Sequence, residues 1–177
     1  MTMLGLLLGI ALTFMGELSR NEITTPSEIS RFLRIPLLSV VPDASEERLT
    51  RGVDLRQVVR QAPYSMLSES YRRLRANLML SGPVESLKTI LVTSGMAGEG
   101  KTSTAVNLAM TFVASGKKVL LIDTNFRNPG IQRIFPRIES VSLDNAGSQN
   151  FNFGLSSVLM NQCKAENAVR PSGIEGL

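Results

Sequence analysis

The sequence predicts an α/β fold, a parallel sheet with flanking helices in incomplete form, preceded by the remnant of an N-terminal transmembrane helix. Three observations predict it. Two short apolar runs, Lys88 to Thr93 (KTILVT) and Lys117 to Ile122 (KKVLLI), read as buried strands on either side of a helical pattern. Strand, loop, helix and strand then follow one another within about thirty-five residues, the spacing of a right-handed unit with parallel strands. At the other end of the chain, MTMLGLLLGIALTFMG carries no charged side chain, and the first to appear is Glu17.

Composition bounds what such a fold could do. A chain of 177 residues holds one domain and an appendage, not two full-size domains. Apolar residues at 43% and charged ones at 19% imply a folded part rather than disorder throughout. Nineteen Lys and Arg against fifteen Asp and Glu leave a net charge of +4, which suits phosphates or an acidic bilayer surface. The single cysteine, Cys163, excludes an internal disulfide framework, and the absence of histidine excludes a His-based zinc site, a Ser-His-Asp triad and a Cys-His pair. With no Trp and 5% aromatics, a base-stacking platform is poorly supplied, and no nucleic-acid partner is expected.

Taken in order, residues 1–17 are expected to be the transmembrane remnant, 18–62 a juxtamembrane segment and linker, and 63–177 the N-terminal part of the catalytic-type domain. A complete span wants about 20 apolar residues, so this run reads as clipped. A secretory signal would need a basic start and a small-residue cleavage site, which are missing, while a buried N-terminal core helix stays open. Arg20, Arg31 and Arg34 follow the apolar end and favour a cytoplasmic location for what comes next. Gly5 and Gly9 could bring two such helices close together or make no specific contact. Pro26 opens a short helical stretch to about Leu33, Pro36 to Val41 (PLLSVV) reads as a strand, and Asp43 to Pro63 as a linker or surface loop. Tyr64 to Leu80 is an amphipathic helix, with Leu67, Tyr71, Leu74 and Leu78 on one stripe. Glu69, Arg72 and Arg73 project away from that stripe, Arg75 lies at its border, and Ser81-Gly82-Pro83 ends the helix. The helix from Thr102 to Ser115 turns Ala105, Leu108, Ala109, Phe112 and Val113 inward and stops at Gly116. Beyond Pro136 the chain reads as polar loop, then a short helix from Gly154 to Met160, and Cys163 to Leu177 forms no complete element because Pro171 and Gly173 interrupt it.

The chemistry is concentrated in one motif. Gly95-Met96-Ala97-Gly98-Glu99-Gly100-Lys101-Thr102 matches G-x-x-x-x-G-K-[ST] in full, between the predicted strand and helix that the mechanism requires. Glycines let consecutive backbone N–H groups turn inward around a polyphosphate, and the helix that follows points its positive end at the same place. The candidate cofactor-binding set is therefore Gly95, Met96, Ala97, Gly98, Glu99, Gly100, Lys101, Thr102 and Ser103. Lys101 supplies a point charge to the outer phosphates, and Thr102 offers a hydroxyl to Mg²⁺. Asp123, at the carboxyl end of the next predicted strand, could reach the metal or its waters. Arg127 could meet a phosphate or simply be a solvated loop arginine.

These residues resemble the bacterial tyrosine kinases of polysaccharide synthesis, a P-loop NTPase-like family whose cytoplasmic domain is joined to, or activated by, a chain-length-determinant membrane protein. The likeness rests on GLLLGIALTFMGELSRNEITTPSEISRFLRIPLLSVVP as the end of a membrane helix and its junction, on ESYRRLRANLMLS, on LVTSGMAGEGKTSTAVNLAMTFVASGKKVLLIDTNFRNP as the Walker A and A′ elements, and on FGLSSVLM. It implies ATP and Mg²⁺ as cofactors, Lys101 and Asp123 in catalysis, Thr102 and Asp123 at the metal, and autophosphorylation on tyrosine. It also implies a ring-like homo-oligomer through the E-x-x-R-x-x-R residues Glu69, Arg72 and Arg75, which from the residues alone are equally an exposed charged face. The bacterial inner membrane and the polysaccharide export machinery are the implied partners, with the P-loop domain in the cytoplasm. The sequence departs from the family twice: Asn125 stands where Walker A′ carries a second acidic residue, and Walker B and the tyrosine cluster are expected past Leu177, which reads the chain as a truncated form. Tyr64 and Tyr71 are the acceptors it retains, Tyr71 on the apolar stripe. Two alternatives remain: an ATPase of the MinD/ParA group, although Ser94-Gly95-Met96 lacks the lysine usual near the start of that loop, and a non-catalytic co-polymerase fragment.

Overall fold

The computed structural model describes residues 34–83, 87–135 and 153–177, together with Met3, Gly5, Gly9, Ile10 and Thr13. They fall into two units, Met1–Val40 and Val41–Leu177. In the first unit the five isolated positions are helical and exposed, and the Thr13 hydroxyl donates to the Gly9 carbonyl at 2.8 Å. Residues 34–40 run without regular structure, starting from Arg34 at φ 53°. The short helix expected after Pro26 lies outside the described residues, as do Arg20 and Arg31.

The second unit opens with tight turns built by side chains. Asp43 accepts from the Ser45 amide at 2.8 Å and starts a 3₁₀ turn, Ala44–Glu46. A second, Arg48–Thr50, is held by the buried Thr50 hydroxyl, within bonding distance of the Ala44 and Glu47 carbonyls at 2.7 and 2.8 Å. Asp54 caps a third, Leu55–Gln57, which runs into helix α1, Val58–Gln61. The two carboxylates satisfy amides, and the Thr50 hydroxyl satisfies carbonyls, that such short turns leave unpaired. The segment expected as a linker or surface loop is thus folded, and Val58 within it is fully buried.

Helix α2, Met66–Leu80, begins at Ser65, whose hydroxyl accepts from the Ser68 amide at 3.1 Å. Glu47 reaches across from the turns to accept from the Met66 amide, so a carboxylate sits at the positive end of α2. Helix α3, Lys101–Ala114, follows the Gly-rich loop. Short helices α4 (Ile131–Ile134), α5 (Leu155–Leu159) and α6 (Ala165–Ala168) complete the elements among the described residues.

The core is the place where α1, α2 and α3 meet: Val58, Val59 and Ala62 from the α1 region, Leu67 and Tyr71 from α2, Val106 and Met110 from α3, and Ile134 from α4. Val58 and Val106 have no exposure at all, and burial of a valine stabilises by about 1.5–3 kcal/mol. On α3 every residue from Val106 to Thr111 is buried, because both α2 and the α1 region pack on this helix; of the expected inward stripe Leu108 and Ala109 are among them, whereas Ala105, Phe112 and Val113 are half-buried. Asn107, fully buried, meets that crowding with hydrogen bonds: it accepts from the Val59 amide at 3.1 Å and donates to the Leu55 and Ser103 carbonyls at 2.8 and 2.9 Å.

Two expectations are corrected. The parallel sheet is not formed: among the described residues there is no strand, and Pro36–Val41, Lys88–Thr93 and Lys117–Ile122 are not paired into a ladder. An apolar run becomes a strand only when a neighbour about 4.8 Å away takes up its N–H and C=O groups. Here the Val119 amide donates instead to the carbonyl of Gly176, in the C-terminal turn, at 2.8 Å. The transmembrane helix is corrected as well, since among the described residues no helix is long and apolar enough to cross a membrane. Most of the run that prompted it lies outside the described residues.

Candidate functional site

The loop that precedes α3 is curled, not extended. Gly98 and Gly100 have φ of 87° and 81°, in the left-handed region where glycine alone carries no steric penalty. A Cβ built on Gly95, Gly98 or Gly100 would meet nothing within 4 Å, so the space beside the loop is open. Gly100 is also the N-cap of α3, and its carbonyl accepts the Thr104 amide at 2.8 Å. The first amides of a helix have no partner within it, and a cradle with its glycines left-handed offers such donors to an anion.

Side chains organise the loop from within. Lys101 donates from Nζ to the Ser94 hydroxyl at 2.6 Å and to the Met96 carbonyl at 2.5 Å. Glu99 turns the opposite way along the loop and accepts from the Met96 amide at 2.9 Å. That backbone bond first, then Ser94 and the charge of Lys101, hold the Glu99 carboxyl below the usual glutamate range. Glu99 and Lys101 thus each tie to residue 96, one to its N–H and the other to its C=O.

Asp123 belongs to a turn that closes on α3. One carboxylate oxygen accepts from the Asn125 amide at 2.9 Å, and the other from the Gly130 and Ile131 amides at 2.8 and 3.0 Å. Asn125 continues the turn, its side-chain oxygen accepting from the Asn128 amide at 3.1 Å. Where an acidic residue is expected from the family pattern, the amide here serves the loop's own geometry. Arg133 hydrogen-bonds Asn128, and Arg127 is exposed. The turn brings Gly130 against Thr102: a Cβ on residue 130 would lie 3.1 Å from both Oγ1 and Cγ2 of that threonine. Thr102 and Asp123 are thereby parts of one neighbourhood, joined through Gly130.

Ser103 contributes its carbonyl to Asn107, so the loop-proximal turn of α3 is anchored to the buried polar node behind it. That node was not visible in the sequence pattern, in which Asn107 stands outside the expected inward stripe. The candidate interface residues lie elsewhere, on α2. Arg72 pairs with Glu69 at 3.3 Å and donates to the Pro63 carbonyl at 2.5 Å, and Arg75 donates to the Thr111 carbonyl of α3 at 2.9 Å. These guanidinium groups are engaged within the chain.

The residues fit a nucleotide with a magnesium ion. Mg²⁺ binds through one or two carboxylates with phosphates and waters rather than an all-protein cage. Among the described residues no group of three or more His, Cys, Asp or Glu could hold a metal alone, whereas a hydroxyl, one carboxylate and an open anion cradle stand together at Thr102, Asp123 and the loop.

Comparison with known proteins adds relatives to this geometry. Residues 90–167 match the family model described as the CobQ/CobB/MinD/ParA nucleotide binding domain. The chain is 39% identical over 110 residues to tyrosine-protein kinase YwqD of Bacillus subtilis, a match covering 62% of this chain and 41% of YwqD. It is 37% identical over 82 residues to the succinoglycan biosynthesis transport protein ExoP of Rhizobium meliloti, covering 45% of this chain and 10% of ExoP. Among solved structures, the BceF tyrosine kinase domain superposes with a TM-score of 0.66 at 29% identity, over 86% of this chain and 59% of that one. The chain thus spans less than half of the length of these curated relatives.

Proposed function

We propose, from the premise that this chain is a homologue of bacterial tyrosine-protein kinases and carries their P-loop nucleotide-binding domain, that it binds Mg·ATP and serves tyrosine autophosphorylation in the control of polysaccharide chain length and export. The observation that carries the reading is the curled loop, with Gly98 and Gly100 left-handed over open space and Lys101 and Thr102 opening α3.

In this reading the backbone amides of Gly95 to Ser103 receive the phosphates, and Lys101 leaves the Ser94 hydroxyl and Met96 carbonyl to follow the outer ones. Thr102 and Asp123 hold the magnesium, which when bound offsets phosphate charge and orients the transferred group. The protein's own contribution is positioning and charge neutralisation at a preformed cradle. Self-association into a ring through Glu69, Arg72 and Arg75 belongs to the same proposal, and would exchange the bonds to Pro63 and Thr111 for bonds to a neighbour. So does work beside the export machinery at the cytoplasmic face of the inner membrane, which the biosynthetic name of ExoP supports.

Incubation of the chain with radiolabelled ATP, followed by phosphoamino-acid analysis, tests the reading. Phosphotyrosine that disappears in Lys101→Met is expected. Label released only as inorganic phosphate would favour a second reading, a switching ATPase, which the MinD/ParA description of the matching domain supports. Calorimetry showing no binding of Mg·ATP would leave neither.

A further inference from the structure

Asp123 spends both oxygens on backbone amides, and two of the three, Gly130 and Ile131, lie at the place where the turn touches α3. A carboxylate that accepts several amide hydrogen bonds fixes the backbone that supplies them. What it fixes is the approach of residue 130 to Thr102. The site for a Cβ at residue 130 is 3.1 Å from two atoms of the threonine side chain, a separation at which the neighbour must give way by a few tenths of an ångström, and 3.5 Å from its Cβ, an ordinary contact. Gly130 has φ of −93°, a backbone any residue adopts, so the constraint on it comes from Thr102 and not from its own conformation.

We propose that Gly130 is a positioning residue for Thr102: its backbone, tied down by Asp123, walls the threonine side chain and sets where its hydroxyl can reach toward a divalent cation held with a polyphosphate. A methyl group at residue 130 would turn or displace that hydroxyl without touching the phosphates or the cation. The inference rests on the reading above, in which Thr102 faces the metal. It gives Asp123 a second task, through the chain rather than through the metal.

The test is a double-mutant cycle on the 177-residue chain, with ADP as the probe, titrated calorimetrically with Mg²⁺ and with EDTA. In the wild type, Mg²⁺ is expected to tighten ADP binding. Gly130→Ala is expected to reduce that tightening by about fivefold while leaving ADP affinity in EDTA unchanged. Thr102→Ala removes both the hydroxyl and the methyl that the added side chain at residue 130 would strike, so Thr102→Ala/Gly130→Ala is expected to match Thr102→Ala alone. An unchanged Mg²⁺ effect in Gly130→Ala, or an equal loss in both backgrounds, overturns the proposal while the underlying reading stands. A wild type whose ADP binding ignores Mg²⁺ overturns that reading and the proposal with it. If Gly130→Ala unfolds, the double variant decides on thermal melting by circular dichroism: recovery of the transition supports the wall at Thr102, and no recovery overturns it.

Discussion

At the scale of single residues, the loop is held in shape by a charge that is not part of any ligand. The Glu99 carboxylate accepts from the Met96 amide, and its depressed pKa means that the ionised form is the one that makes the bond. A group of this kind contributes above its unfolded pKa, and the contribution fades as the pH falls through its lower folded value. Glu99→Gln is therefore expected to speed hydrogen exchange at the Met96 amide at neutral pH. The ratio of the two rates should return toward one as the solution is taken below the ordinary carboxylate range, and a ratio independent of pH would contradict the bond. The two tyrosines differ as sharply. Tyr64 is 92% exposed and Tyr71 5%, and burial raises the Tyr71 phenol above its usual pKa against the opposing hydrogen bonds of Thr104 and Asn107. Nitration of the native chain with tetranitromethane should modify Tyr64 and spare Tyr71 until denaturant is added, which mass spectrometry of the peptides reads directly. The apolar stripe in the sequence was enough to place Tyr71 inside. Nothing in it could show that residue 130 abuts Thr102, because that approach depends on three amides of a turn folding back onto one carboxylate.

At the scale of elements, α3 is the spine, and its ties to the rest are polar as well as apolar. Asn107 joins the Leu55–Gln57 turn, α1 and α3 through three hydrogen bonds, and Arg75 joins α2 to α3 at Thr111. Asn107→Ala leaves one buried amide and two part-buried carbonyls without this partner and opens a cavity, so a loss of about 2–4 kcal/mol in denaturant unfolding is expected. A loss under about 0.5 kcal/mol would mean that the node is not what fastens the turn segment. Both long helices were legible from their periodicity, to within two residues at each end. The segment 43–63 was not, since its order comes from Asp43, Thr50, Asp54 and Glu47 satisfying backbone groups one at a time, and such bonds leave no period in a sequence.

At the scale of the whole molecule, the described residues show helices packed together beside apolar runs that pair with nothing in register. Leu91, Leu120 and Ile122 are 80%, 60% and 53% exposed, and Phe126 is 59% exposed. Exposed apolar runs with unpaired backbone are templates for association. The isolated chain is therefore expected to enhance the fluorescence of an apolar dye such as ANS, and Leu91→Asp combined with Leu120→Asp should reduce the signal by at least half, at unchanged helix content by circular dichroism. No enhancement in the parent chain would show that these runs are covered in solution. The runs themselves were legible, but a ladder is a property of neighbours, and no pattern within KTILVT or KKVLLI states what lies alongside.

The paired left-handed glycines of the loop carry a stereochemical consequence. Residues 98 and 100 occupy the half of conformational space natural to mirror-image amino acids, and because an L side chain's Cβ at either would meet nothing within 4 Å, its cost there is conformational rather than steric crowding by neighbours. A chain assembled by chemical ligation with D-alanine at both positions should keep the nucleotide binding proposed for the loop, and gain stability of about 0.4–1 kcal/mol per site from a stiffer unfolded chain. L-alanine at the same positions should lose about 1–2 kcal/mol per site and weaken that proposed binding. Handedness alone would then separate two proteins of identical composition.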